Sequence, residues 1–473
     1  MNKRCNEESL SPERPNVVFL MADDMGYGDL GCYNEESKIP TPNMDQLAEE
    51  GVRFTDAHAS SAVCTPSRYS ILTGRYCWRT DLDGVVFDYE DPLIDEDRTT
   101  VASLLKNEGY ATAAIGKWHL GMGWQKDDNG EVDFTKPVKG GPCKRGFDYF
   151  FGIRASLDLP PYCFIENNRT VGIPEVEKDP YHPQQREGPM VRGWKDSRVG
   201  PRFTEKATNF LSDHLTENPD QPFFLYFPTS APHRPCVPPD FLEGESDAGP
   251  RGDMVHQVDW MAGEVRDVLQ EYGVLNDTLF IVTSDNGGRT SSFYGHDFSE
   301  YYCHKTNGDW RGQKADIWDG GHREPLIARW PEHIEAGVTS DETVCLSDLL
   351  ATIAGITGTS LSETAGEDSY DMSPLFSDSD VDSPIREATI HQSGQGHIAV
   401  RKGPWKMILK RGSGGFTEPK SLEPEPGEPE GQLYNLEVDP GEKDNLWLGR
   451  QDIVYNLREI LKSYQERGKS VDI

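Results

Sequence analysis

The chain has 473 residues, long enough for two domains, because single hydrophobic cores stop growing at roughly 250–300 residues. Its 47 Lys and Arg against 80 Asp and Glu leave a formal net charge of −33, a field that repels DNA, RNA and anionic membrane surfaces. With ten Trp, 18 Tyr and 19 Phe, the chain is too rich in aromatic residues to be a disordered acidic polymer.

Residues 1–15 are polar and charged with no apolar h-region, so the expectation is a cytoplasmic protein or one whose leader has been removed. Residues 16–22 (NVVFLMA) form an apolar run that ends in Asp23-Asp24 and reads as a buried parallel strand. A short helix over 45–51 closes at Gly51, and a helix over 99–108 stops at Gly109, before a strand over 111–115. A helix is expected over 203–215, a strand over 223–227 and a long amphipathic helix over 251–272. The strand 278–284 (TLFIVTS) again ends in acid and amide, at Asp285-Asn286, and 325–329 and 347–356 continue as strand and helix. None of the apolar runs is long enough to cross a bilayer, and no run of five basic residues occurs, so neither membrane nor nucleic acid is an expected partner.

This alternation predicts an α/β domain over 15–383 with a mostly parallel sheet flanked by helices. From 384 to 473 the pattern changes to short alternating strands (388–392, 397–401, 405–409), a Gly-, Pro- and Glu-rich loop over 411–431 and a closing helix over 452–467. That pattern fits a small C-terminal antiparallel α+β domain. Nine Cys, an odd number without CxxC spacing, give no metal motif, and the sequons at Asn168 and Asn276 carry little weight without a signal peptide.

In open α/β sheets, sites form beyond the carboxyl ends of the strands. Asp23, Asp24, Asp285 and Asn286 stand there and offer hard oxygen donors for Ca²⁺ or Mg²⁺, although Asp and Asn at such turns also cap helices. Cys64-Thr-Pro-Ser-Arg68 is followed by Leu72-Thr-Gly-Arg75. A free Cys is most often small, buried and inert. A helix starting near Pro66 would instead put Cys64 at a helix N-terminus, where anions and low-pKa nucleophiles are favoured.

The Cys-x-Pro-Ser-Arg and Leu-Thr-Gly-Arg pair resembles the signature of the type I sulfatases, members of the alkaline phosphatase-like superfamily. Further segments resemble other motifs of that family in its order: 15–33, Gly116-Lys-Trp-His-Leu-Gly121, Ala231-Pro-His233, Thr283-Ser-Asp-Asn-Gly287, Arg311-Gly-Gln-Lys314 with Gly320-Gly-His-Arg-Glu-Pro325, and Leu433-Tyr-Asn-Leu436. The resemblance implies that Cys64 is oxidised to formylglycine, by a formylglycine-generating or an anaerobic sulfatase-maturing enzyme. It implies one Ca²⁺ held by Asp23, Asp24, Asp285, Asn286 and the oxidised residue 64. The hydrated aldehyde would attack sulfur with one hydroxyl and expel sulfate through the other, which a plain serine could not do. His119 would accept that second proton, Lys117 would neutralise sulfate oxygens, and His233 with Lys314 would serve the leaving alcohol. Arg68 would hold the nucleophile in place. Arg75 and Arg323 are motif positions with either a structural or a catalytic reading.

Two segments are candidates for contacting substrate: 154–169, with Arg154 and Tyr162, and 293–310, with His296 and Trp310. Arg323 joins them. The implied activity is hydrolysis of a sulfate ester, with a sulfated carbohydrate as the expected substrate. Alternatives are a small aryl sulfate, a phosphonate monoester or phosphodiester, and a polysaccharide-binding protein whose Cys64 is never matured.

Overall fold

A computed structural model describes residues 14–80, 82, 84–181, 185–290, 299–376 and 384–471. In chain order the early strands are β1 (Asn16–Asp23), β2 (Val52–Phe54), β3 (Ala57–His58), β4 (Ala111–Lys117) and β5 (Tyr149–Ile153). Short strands follow: β6 (Ile165–Glu166), β7 (Arg169–Thr170), β8 (Val176–Glu177) and β9 (Pro189–Met190). Next come β10 (Phe223–Pro232), β11 (Thr278–Ser284), β12 (Leu326–Arg329), β13 (Val338–Ser340) and β14 (Val344–Cys345). The large sheet has ten strands in the order β13-β2-β12-β11-β1-β10-β4-β5-β6-β7. Its centre, β11-β1-β10-β4-β5, is parallel.

Strand β1 shows why the centre is doubly covered. Val17, Phe19 and Met21 point into one apolar cluster, and Val18, Leu20 and Ala22 into the other. The first cluster takes α2 (Cys64–Thr73), α3 (Val101–Asn107) and α6 (Leu349–Thr357); the second takes α1 (Pro42–Glu49), α4 (Val199–Glu217) and α5 (Gly249–Glu271). Helix starts are set by caps and prolines rather than by the apolar periodicity: α1 begins three residues earlier than expected and α3 two residues later. Thr41 precedes α1 with Pro42 at its first turn, and Thr100 closes a capping box with Ser103 at α3. Strand β12 forms where expected but runs antiparallel to β11, so the sheet is mostly rather than wholly parallel.

The C-terminal sheet is antiparallel, with β15 (Thr389–Gln392), β16 (Ile398–Lys402), β17 (Trp405–Ile408) and β18 (Gln432–Asn435) in that order, covered by α7 (Gln451–Arg467). Tyr76 and Cys345 join the apolar cluster between this sheet and α7, and Ile317 and Trp318 pack on the sheet's opposite face. A buried polar joint also links the sheets. His58 Nδ1 lies 3.0 Å from His322 Nδ1, His58 Nε2 lies 2.9 Å from Asp56, and Lys406 donates to Asp319 at 2.7 Å. His391 of β15 stacks on His322 with centroids 4.1 Å apart and planes at 9°. One ring nitrogen of each of His58, His322 and His391 lies within 4.8 Å of the others, but the stacked His322 and His391 hold their lone pairs in near-parallel planes that do not meet at one ion.

His391 donates Nδ1–H to Ala59 O at 3.0 Å, and its Nε2 is buried without a partner. Burial, reinforced by His58, holds the imidazole well below its ordinary value of 6.5. The unfolded chain therefore takes up a proton below pH 6.5 that the folded chain refuses, and stability is lost as pH falls. His391→Phe keeps a stacking ring and removes this group. Its stability relative to the wild type should rise by about 1.4 kcal/mol per pH unit below 6.5. Denaturant titrations of both proteins at several pH values check this; a pH-independent difference would exclude His391 as the source.

Candidate active site

Strands β1 and β11 are neighbours with Ala22 opposite Ser284, so the acids that follow them meet. Asp24, at φ +72°, turns the chain out of β1, and its N–H donates to Asp285 Oδ1 at 3.3 Å. On the far side of β10, β4 ends at Lys117. Gly116 has φ +138°, and a Cβ there would come within 1.8 Å of Pro228 O, so only glycine lets β4 approach β10 this closely. Lys117 then reaches across and donates Nζ–H to both oxygens of Asp23, at 2.8 and 2.7 Å.

Cys64 is the first residue of α2, two positions before Pro66, and is 1% exposed. Its Sγ lies 3.5 Å from Asp23 Oδ1 and 3.2 Å from Lys314 Nζ, which also donates to Asp24 Oδ1. One turn along α2, Arg68 donates Nε–H and Nη2–H to Asp285 Oδ2 at 2.9 and 2.7 Å, and Nη1–H to Lys117 O at 2.9 Å. The nucleophile candidate, three carboxylates and three cations thus share one buried volume.

Burial alone would raise the Asp23 and Asp24 carboxyls. Lys117 overrides it at Asp23 and Lys314 at Asp24, so both lie below the usual range. Burial and the nearby Asp285 push the Cys64 thiol up, so this side chain is not a ready thiolate. His119 follows β4 at φ +61°, outside the strand. Its Nε2–H donates to Val86 O at 2.8 Å and its Nδ1 is buried without a partner. Burial, then Lys117 and Arg68, hold its pKa well below the ordinary imidazole value, so it is neutral and basic at Nδ1. His233 donates Nδ1–H to Arg234 O at 2.8 Å, with Nε2 3.7 Å from Asp24 Oδ2; burial and Lys314 lower it too.

The donor set fits a divalent cation. Asn286 Nδ2 lies 2.8 Å from Asp24 Oδ1, while Asn286 Oδ1 is buried with no partner. Nδ2–H also donates to Gly287 O at 3.1 Å, so the amide is held in place and its orphaned Oδ1 is a hard oxygen donor free to ligate a cation. One ligand atom from each of Asp23, Asp24, Cys64 and His233 also falls within 4.8 Å of the others.

The remaining sequence candidates lie elsewhere. Arg323 is locked between Asp319 (2.9 Å) and Asp56, with its guanidinium 3.8 Å over Trp310. Trp310 and Arg323 line a cavity of about 910 Å³, bounded also by Tyr27, Asp56 and Arg401, that contains none of the site residues above. Arg75 sits between Tyr69 OH (3.4 Å) and Glu367 (3.4 Å), a structural position. Tyr162 is buried with its hydroxyl on Arg186 O, and Arg154 is buried behind residues 87–88, donating to both carbonyls. His296 lies outside the described residues.

Three nearby residues went unnoticed in the sequence. Val86 holds His119. Asp158 pairs with Arg234 at 3.2 Å beside His233. Glu324 is fully buried with no partner on either oxygen, and burial followed by Asp285 and Asp24 holds it well above the usual carboxylate range, hence neutral. Only Glu324 carried a signal, as an acid inside the Gly320–Pro325 motif.

The sulfatase family profile matches residues 15–359. The chain is 34% identical to an N-acetylgalactosamine-6-O-sulfatase of Bacteroides thetaiotaomicron, over 98% of this chain and 96% of that one. It is 32% identical to human arylsulfatase A, over 95% and 87%. A solved B. thetaiotaomicron protein, described within a study of the metabolism of multiple glycosaminoglycans, superposes with a TM-score of 0.84 at 31% identity, covering 96% of this chain and all of that one. Cys64, the flanking cations and the acid cluster all fall within the matched residues 15–359, and the chain belongs to the sulfatase family of sulfuric ester hydrolases.

Proposed function

We propose that the protein removes sulfate from a sulfated carbohydrate, with residue 64 matured from Cys to formylglycine as the nucleophile. The observation that carries this is the placement of Cys64 at the start of α2, 3.2 Å from the Lys314 ammonium and beside the Asp23–Lys117 pair. The carbohydrate class is supported by the relative that acts on N-acetylgalactosamine 6-O-sulfate, which makes that sugar the first substrate to assay. Because Cys64 is 1% exposed, a formylglycine-generating or anaerobic sulfatase-maturing enzyme acts on the segment before it folds.

Asp23, Asp24, Asp285 and Asn286, with an oxygen of residue 64, would hold a divalent cation, Ca²⁺ by family resemblance, which supplies polarisation of sulfate and stabilisation of the ionised nucleophile. Lys117 and Lys314 bind sulfate oxygens. Arg68 fixes Asp285 and the turn after β4. His119, with its Nε2 proton given to Val86 O, accepts the proton of residue 64 at Nδ1. His233, with Nδ1–H donated to Arg234 O, presents a protonated Nε2, and the leaving alcohol oxygen takes the Nε2 proton. The sulfate charge beside it offsets the lowering by burial and Lys314, keeping that proton in place.

Cys64→Ala should abolish turnover with an unchanged circular dichroism spectrum, and mass spectrometry of the wild-type peptide should find the aldehyde. Turnover near wild type in the variant would exclude the nucleophile. His119→Ala should lower kcat by about 10²–10⁴ with KM little changed; a loss in KM alone would move His119 to substrate binding. Chelation to a protein free of metal by mass spectrometry should remove activity, and Ca²⁺ should restore it. Full activity of the stripped protein would defeat the cation assignment.

A further inference from the structure

In the segments expected to read the substrate, Arg154 and Tyr162 are buried and Trp310 lines a separate cavity, but two other loops carry exposed phenylalanines and are hydrogen-bonded to residues near Cys64 and Lys314 in sequence. Phe87 is 48% exposed, although the preceding Val86 is buried. Val86 N–H donates to Thr65 Oγ1 at 3.2 Å, next to Cys64, and Val86 O accepts from His119. Phe87 therefore stands at the mouth of the site on the His119 side. It is held there from behind: Arg154 donates to Phe87 O at 3.0 Å and Asp88 O at 2.8 Å, and Arg186 lies 5.1 Å from the ring.

Phe416 is 44% exposed and belongs to the 411–431 loop, more than 300 residues from Phe87 in sequence. Its N–H donates to Asp316 Oδ1 at 2.8 Å, and a Cβ on Gly415 would come within 2.3 Å of the Ala315 backbone. Ala315 follows Lys314, so Phe416 stands on the Lys314 side. Arg289, three residues after Asn286, lies 4.9 Å from its ring.

A lone exposed phenylalanine needs no explanation. Two of them, each tied by a built hydrogen-bond network to a segment that carries a site residue, and each with an arginine on its ring, do. Binding sites combine apolar walls with a few placed polar groups, and a pyranose offers a CH face for a ring and hydroxyls for the arginines. We propose that Phe87 and Phe416 are specificity-determining residues that pack against the sugar bearing the sulfate, with Arg186 and Arg289 at the rim. This deepens the carbohydrate reading and rests on it.

The test measures kcat and KM on a 6-O-sulfated N-acetylgalactosamine disaccharide, and the inhibition constant of inorganic sulfate, for wild type, Phe87→Ala, Phe416→Ala and the two Phe→Tyr variants. Each alanine should raise KM about three- to ten-fold with kcat within about three-fold, tyrosine should restore it, and sulfate inhibition should not move. Melting temperatures close to wild type confirm that half-exposed rings were removed without unfolding. An unchanged KM in both alanine variants overturns the inference, as does a parallel shift in sulfate inhibition, which would mean a disturbed site. A wild type that hydrolyses 4-nitrophenyl sulfate but no sulfated sugar overturns the carbohydrate reading, and this inference with it.

Discussion

Charge neutrality inside a dry volume is the constraint on which the site depends. Asp23, Asp24 and Asp285 are buried, and an unpaired carboxylate there would cost several kcal/mol. Each has its own cation, and each cation comes from a different segment: Lys117 from the end of β4, Lys314 from the loop before β12, Arg68 from α2. The parallel order β11-β1-β10-β4 makes the pairing possible by bringing these chain ends to one edge. Loss of any one cation strands a buried charge, at about 3–5 kcal/mol. The two lysines proposed to bind sulfate are thus, with Arg68, also the residues that let the sheet edge fold.

The same rule extends outward. Asp29 lies between Arg251 (2.7 Å) and His304 (2.9 Å), anchoring the turn after β1 to α5. Asp319 holds Arg323 and Lys406 and so ties the Gly320–Pro325 motif to β17 of the C-terminal sheet. Among the described residues Glu324, Asp259 and Asp316 depart from this rule: none forms an ion pair, and burial holds all three above the usual carboxylate range. A neutral acid behind Asp285 adds no further negative charge to a cluster already crowded with carboxylates.

Much of this was legible in the sequence, for definite reasons. An apolar run ending in acid is both a buried strand and a strand-end site, so β1 with Asp23-Asp24 and β11 with Asp285-Asn286 were recognisable together. The direction of β12 was not, because an apolar run has the same pattern in either orientation. His58 and His322 meet across 264 residues, and no local periodicity encodes such a contact. The sequence made 154–169 and 293–310 candidates for contacting substrate, but Tyr162 and Arg154 are spent inward, on Arg186 O and on residues 87–88. Phe416 is the one aromatic of residues 411–431 and Phe87 is one of two in 81–91, both in loops rich in polar and Gly residues, so composition gave them no weight.

The net charge of −33 and an anionic substrate are reconciled at the same place. Three carboxylates against Arg68, Lys117 and Lys314 leave these side chains near neutral as a group, so they do not by themselves make an electropositive sink. The attraction for sulfate has to come from charge added to this set: the N-terminus of α2, a proton on His233, and the cation that the oxygen cluster fits. All three act at contact range in a low dielectric, whereas surface carboxylates are screened beyond about 8–10 Å. The inner site can therefore accept one sulfate group under an acidic surface. That surface still opposes a long, densely sulfated polymer, and added salt weakens this opposition, so the electrostatics favour short sulfated fragments over intact chains.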